Sequence, residues 1–178
     1  MGKLAILKRL SKILPKRTLE IIFKTSILPC IEYAVTVWGT CTAKGINMAQ
    51  RLQNAAARII SRNFDYVNVR GEDLVRTLKW PTILEKRRFH TATLMFKCIH
   101  GLAPNYLCDQ VNLLREINFY NTRKTGEMKV EVPFPKNEIF KGSLQYDGAM
   151  VWNSLPEFLK KCHSITDFKD MYKRFYFR

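Results

Sequence analysis

The stretch RLQNAAARIISR, residues 51–62, reads at helical period. At about 3.6 residues per turn, Met48, Leu52, Ala56, Ile59 and Ile60 gather on one side, the pattern of a helix packed on a core. Lys44, Asn47, Arg51, Arg58 and Arg62 line another side. That second stripe carries no carboxylate, so its arginines have no i,i+4 partner on their own helix and look to water or an outside anion. A solvated face and a face that grips phosphate both fit this pattern, and the rest of the chain has to separate them.

Helical signals continue in both directions. Residues 3–14 predict a short basic helix that Pro15 ends. Thr18 to Val37 is a long apolar pattern in which Pro29 should force a kink near Leu28, with Gly39 as the stop. The opening helix should run from Ala43 to Asn63, and Glu72–Leu78 should form a short one with its acids at the N-terminus. After Pro81, Leu84, Ala92, Met95 and Ile99 share a core side while Lys86, His90, Thr93 and Lys97 face away, and Gly101 closes the helix. A brief helix is expected from Tyr106 to Leu114.

The texture changes at Asn118. NFYNTR and MKVEVPFP are strand-like, with Val130 and Val132 alternating against Lys129 and Glu131. Two short strands and an irregular crossing loop are both open here. Helix returns from Ile139 to Leu155 and from Ile165 to Tyr176, the last with Thr166 as its cap. The expected fold is therefore mostly α, a compact helical domain with a small β element or irregular crossing loop near residues 118–135. A basic helical region (1–117) and a short β element followed by C-terminal helices (118–178) should pack as one domain. Trp38, Trp80 and Trp152 should all be buried and anchor one shared core.

The 178 residues suffice for a core without disulfide or metal staples. Thirty Lys and Arg against fifteen Asp and Glu leave a net charge of +15, which implies an acidic partner. The first 62 residues hold eleven basic side chains against Glu20 and Glu32 only, so most of that excess lies in the first third. Five cysteines at wide, irregular spacing argue against a secreted disulfide framework and for a reducing compartment. No signal peptide, membrane-length apolar run or myristoylation pattern is present, so an intracellular protein, nuclear or cytoplasmic, with no membrane partner is expected.

Ingredients for catalysis are thin. No two aspartates are adjacent, and P-loop, GxSxG and HExxH motifs are absent, as are zinc-type ligand spacings, so no metal, cofactor or catalytic residue is expected. His90, His100 and His163 read as solvated or capping side chains. Basic charge with interleaved aromatics is present instead: Phe175, Tyr176 and Phe177 lie between Arg174 and Arg178, and Phe119-Tyr120 precede Arg123 and Lys124. Such mixtures stack bases and pair phosphates, or equally supply core rings beside solvated charge.

The segments SILPCIEYAVTVWG (26–39), RLQNAAARII (51–60), LKWPTILEKRRFHTATLMFKCIHGLAPNYL (78–107), YNTR (120–123) and YDGAMVWNSLPEFL (146–159) together resemble a known family. In that order they are similar to the region after the palm in the reverse transcriptase of non-LTR retrotransposons of the LINE type, jockey- or CR1-like. The resemblance implies a helical thumb and post-thumb segment that holds RNA or DNA, template and primer, and that lacks the palm aspartates which bind Mg²⁺. It tips the arginine stripe toward grip, with Arg51, Arg58, Arg62, Lys44, Lys86 and Lys97 as the residues expected on the nucleic-acid backbone. A protein-interaction module that reuses exposed apolar faces, a membrane-surface role for residues 3–14, and a transposon relic without function stay open as alternatives.

Overall fold

A computed structural model describes every residue except Met1, Ala34, residues 38–42, residues 115–127, Lys136 and Arg178. The chain is mostly helical, with eleven α-helices among the described residues and, as its β element, an isolated antiparallel bridge between Leu113 and Val130. It divides into two compact units, Met1–Arg87 and Arg88–Arg178, a boundary well before the change of texture at Asn118. Expectations for Trp38, Gly39 and the NFYNTR strand fall outside the described residues.

In the first unit, α1 (Gly2–Leu10) is shorter than the predicted 3–14. The Ser11 hydroxyl donates to the Lys8 carbonyl at 2.7 Å, and residues 11–14 turn before Pro15. Next come α2 (Lys16–Ile22), a π-helical turn (Phe23–Ile27) and α3 (Leu28–Glu32). The interruption falls where the proline demands it. Pro29 has no N–H to give the carbonyl four residues back, and its ring crowds that carbonyl, so the preceding turn widens. At Tyr33 the backbone leaves the helix (φ −56°, ψ 124°), and residues 35–37 are helical again, so the predicted run to Val37 is interrupted rather than continuous.

The opening stretch belongs to α4 (Ala43–Ser61), which buries Ala56, Ala57, Ile59 and Ile60. Met48, expected on the core side, is instead 66% exposed. Helix α5 (Gly71–Thr77) begins where Gly71 approaches α4 so closely that a Cβ would lie 2.7 Å from Asn54 Cβ. Leu7, Leu19, Phe23, Ile60, Val75 and Trp80 form the core of this unit. The Phe23 and Trp80 rings stack at 4.7 Å, and Trp80 Nε1 donates to Glu20 Oε1 at 2.9 Å.

Helix α6 (Ile83–Ile99) corrects the one-sided reading of its sequence. Ala92 and Met95 are buried as expected, but Leu84 is 42% exposed and Thr93, expected to face away, is buried. Ile83, Phe89, Thr91, Phe96 and Cys98 are buried too, so neighbours cover most of the circumference and a single apolar stripe does not describe it. The Thr93 hydroxyl is tolerated because it donates to the Phe89 carbonyl at 2.7 Å. Gly101, at φ 66°, ends the helix as predicted, with Leu102 N–H donating to the Lys97 carbonyl at 2.8 Å.

In the second unit, α7 (Asn105–Cys108) falls short of Leu114, and the predicted helix 139–155 is broken into α8 (Glu138–Lys141), a π-helical turn (Leu144–Gly148) and α9 (Ala149–Asn153). The Ser143 hydroxyl accepts from Tyr146 N–H and restarts the helix. Gly148 sits where a Cβ would meet Met95 Sδ at 2.6 Å. After Pro156 come α10 (Glu157–Lys160) and α11 (Ile165–Tyr176), whose bounds are those predicted. Its cap is Ser164, not Thr166: Ser164 has the extended backbone of an N-cap and its hydroxyl accepts from Asp167 N–H at 3.1 Å.

Val130 and Val132 do not share a buried face, since Val130 is 2% and Val132 38% exposed. Instead, Asn153 grips Val130: its Oδ1 accepts from the Val130 N–H at 3.0 Å and its Nδ2 donates to the Val130 carbonyl at 2.8 Å. An amide side chain thus pairs with the Val130 backbone as a neighbouring strand would, in addition to the isolated bridge to Leu113. Trp152 is fully buried with Phe96 and Phe168, and its Nε1 donates to the Met128 carbonyl. Trp80 and Trp152 therefore anchor separate cores rather than one shared core.

Candidate nucleic-acid interface

The stripe read from residues 44–62 separates on folding. Lys44, Asn47 and Arg51 stay exposed along α4, spaced so that they share one face, and α4 contains no acid. Arg58 leaves the set. It is 8% exposed, and its guanidinium donates to the Asp65 carbonyl at 2.8 Å and the Val69 carbonyl at 2.6 Å. The same group lies over the Tyr66 ring, 4.3 Å from its centroid.

Asp65 shapes the loop that Arg58 holds. Its carboxylate accepts from the backbone N–H groups of Val67 and Asn68 and from the Asn68 amide. The Asn68 backbone bond, then the Asn68 side chain and Val67, hold the Asp65 carboxyl below its usual range. The sequence NFDYVN did carry this signal, because Asn and Asp side chains in a polar run between helices favour such turns. A long arginine one turn before a helix end, followed by that loop, has backbone carbonyls within reach.

Arg62 is exposed but is not part of the helix. It is the left-handed residue after α4, at φ 53°, where Asn63 N–H donates to the Arg58 carbonyl and closes the end. Its Nη2 donates to the Leu14 carbonyl at 3.1 Å. Lys86 is half-buried and paired with Glu32 at 3.0 Å, so its charge already has an internal counterion. Lys97 is half-buried.

Of the six expected backbone-binding residues, Lys44 and Arg51 remain together on one open face. Exposed Lys8, Arg9, Lys12, Lys16 and Arg17 add to the basic surface of the same unit. Lysine and arginine presented this way attract phosphate and position it without reading bases. Among the described residues, no group of three or more His, Cys, Asp or Glu side chains is arranged to hold a metal ion. No helix among them is long and apolar enough to cross a membrane. No protein-family model, curated protein or solved structure matches the chain.

Proposed function

We propose that this chain binds the sugar-phosphate backbone of RNA or DNA and does not itself polymerise, as the thumb and post-thumb portion of a non-LTR retrotransposon reverse transcriptase. The observation that supports it most is the acid-free outward face of α4, where Lys44 and Arg51 stand exposed in a chain of net charge +15. Its test is a salt titration of binding to a single-stranded and a duplex oligonucleotide. Affinity should fall steeply with salt for every sequence. The double substitution Lys44→Gln/Arg51→Gln should flatten the slope by roughly 0.9 per lost contact on duplex DNA, or roughly 0.7 on a single strand. An unchanged slope removes this face from the interface, and affinity indifferent to salt removes the reading. With Mg²⁺, primer, template and nucleotides the chain should extend nothing.

A second reading has its own observation. Tyr106, Phe134 and Ile139 are 66%, 89% and 87% exposed, large apolar side chains that a protein partner would cover. Binding to a protein through them would persist at high salt, which tells the two apart.

A further inference from the structure

An apolar cleft of about 680 Å³ opens in the first unit among α1, α3 and α4. Its wall is mostly aliphatic, formed by Leu4, Ile27, Ile31, Met48, Ala49 and Leu52. Among the described residues that line it, Lys3 and Cys30 are the polar side chains and none is a carboxylate. Lys3 Nζ donates to Cys30 Sγ and to the Ser26 carbonyl, each at 3.1 Å, and the Cys30 thiol donates to that same carbonyl at 3.5 Å. One backbone oxygen thus holds an ammonium and an exposed thiol side by side in the wall of an apolar space.

The combination selects its occupant. A volume in the range of small-molecule sites with aliphatic walls suits a hydrocarbon chain. A cation in the wall suits the carbonyl end of that chain, and a thiol in contact with the cation is a nucleophile for an acyl carbon. We propose that the cleft seats a long-chain fatty acyl group and that Cys30 accepts it from an acyl thioester. Sγ attacks the thioester carbonyl carbon and loses its proton to solvent; the carbon–sulfur bond to the leaving thiol breaks, and the departing thiolate takes a proton from water. The products are S-acyl Cys30 and the free thiol, with no oxidant or reductant needed. The Lys3 ammonium, 3.1 Å from Sγ, is near enough to stabilise the carbonyl oxygen as it becomes anionic in the transition state.

The other described cysteines lack this setting. Cys98 is buried, and burial pushes its thiol up to about 11, while burial likewise raises Cys162. Cys108 lies outside the cleft lining. The proposal is independent of the nucleic-acid reading, and neither fails with the other.

The full chain, incubated with palmitoyl-coenzyme A or with acetyl-coenzyme A, should be followed by intact mass, and the modified residue mapped by peptide digestion with hydroxylamine release. One palmitoyl group should appear on Cys30, much faster than acetyl, and free palmitate should compete. Cys30→Ser should abolish the transfer, and Lys3→Gln should slow it roughly tenfold. Met48→Lys, at a wall side chain 66% exposed and so tolerant of change, should slow palmitoyl transfer more than acetyl transfer. Thermal melting of each variant checks that it is folded. Equal rates for the two donors, equal labelling of the urea-unfolded chain, or modification spread evenly over the other cysteines would each overturn the proposal.

Discussion

At the scale of single residues, Arg58 shows how an exposed-looking cation becomes a structural one. The Arg58 side chain is itself buried, its two charged hydrogen bonds end on the Asp65 and Val69 backbone carbonyls, and its guanidinium lies over Tyr66. Arg58→Gln should therefore destabilise the first unit by about 3 kcal/mol in denaturant unfolding, whereas Arg51→Gln should leave stability within about 0.5 kcal/mol. Glu20 makes a second residue-scale prediction. The Lys24 hydrogen bond, then the one from Trp80, hold its carboxyl below the usual glutamate range. A depressed folded value means that the stabilisation is complete above the ordinary value and is lost as pH falls through the folded one. Trp80 fluorescence should report weakening below about pH 4.3, and Glu20→Gln should remove that portion of the acid dependence.

Elements are decided mainly at their ends. Two helices of the first unit finish on non-glycine residues in the left-handed region, Arg62 at φ 53° after α4 and Lys79 at φ 54° after α5. Each allows the next N–H to reach back, from Asn63 to Arg58 and from Trp80 to Val75. A side chain with a Cβ is strained there and glycine is not. Lys79→Gly should accordingly raise the melting free energy by about 0.5–1 kcal/mol, after the entropy that glycine adds to the unfolded chain. Arg62→Gly should gain less, because it gives up the bond to Leu14. Helix α11 illustrates the opposite case, in which the local signal is sufficient. Its Ser164 cap sets the start locally, and the apolar Phe168 and Tyr172, four residues apart, mark the side that is buried against the core of the second unit.

On the scale of the whole molecule, each compact unit has its own aromatic anchor. Phe23 and Trp80 serve the first, and Phe96, Trp152 and Phe168 the second. Trp152 is fully buried and also spends its indole N–H on the Met128 carbonyl, so Trp152→Ala should cost the second unit about 3–5 kcal/mol in thermal or denaturant unfolding. A cost too small to detect would mean that the VWNSLP segment is peripheral to that core. The net charge acts at this scale as well: on the proposed reading, +15 supplies a general attraction for polyanions, and the exposed Lys44 and Arg51 would position them.

Much of this was legible in the residues alone. Helical class, the helix bounds at Ala43, Ile165 and Tyr176, the proline interruption before Leu28, the Gly101 stop and the concentration of charge all follow from rules local to the chain: a 3.6-residue period, a missing proline N–H, a glycine free to turn left. Which side of each helix meets solvent was not legible for Met48, Leu84, Thr93 and Arg58. Burial depends on what other segments lay across a helix, and no period within the helix contains that information. The same holds for the Lys3–Cys30 contact across 27 positions and the Asn153–Val130 clasp across 23. Local stereochemistry sets the elements, while tertiary packing decides which of their charges stay open to a partner, because only packing brings distant carbonyls close enough to compete with one.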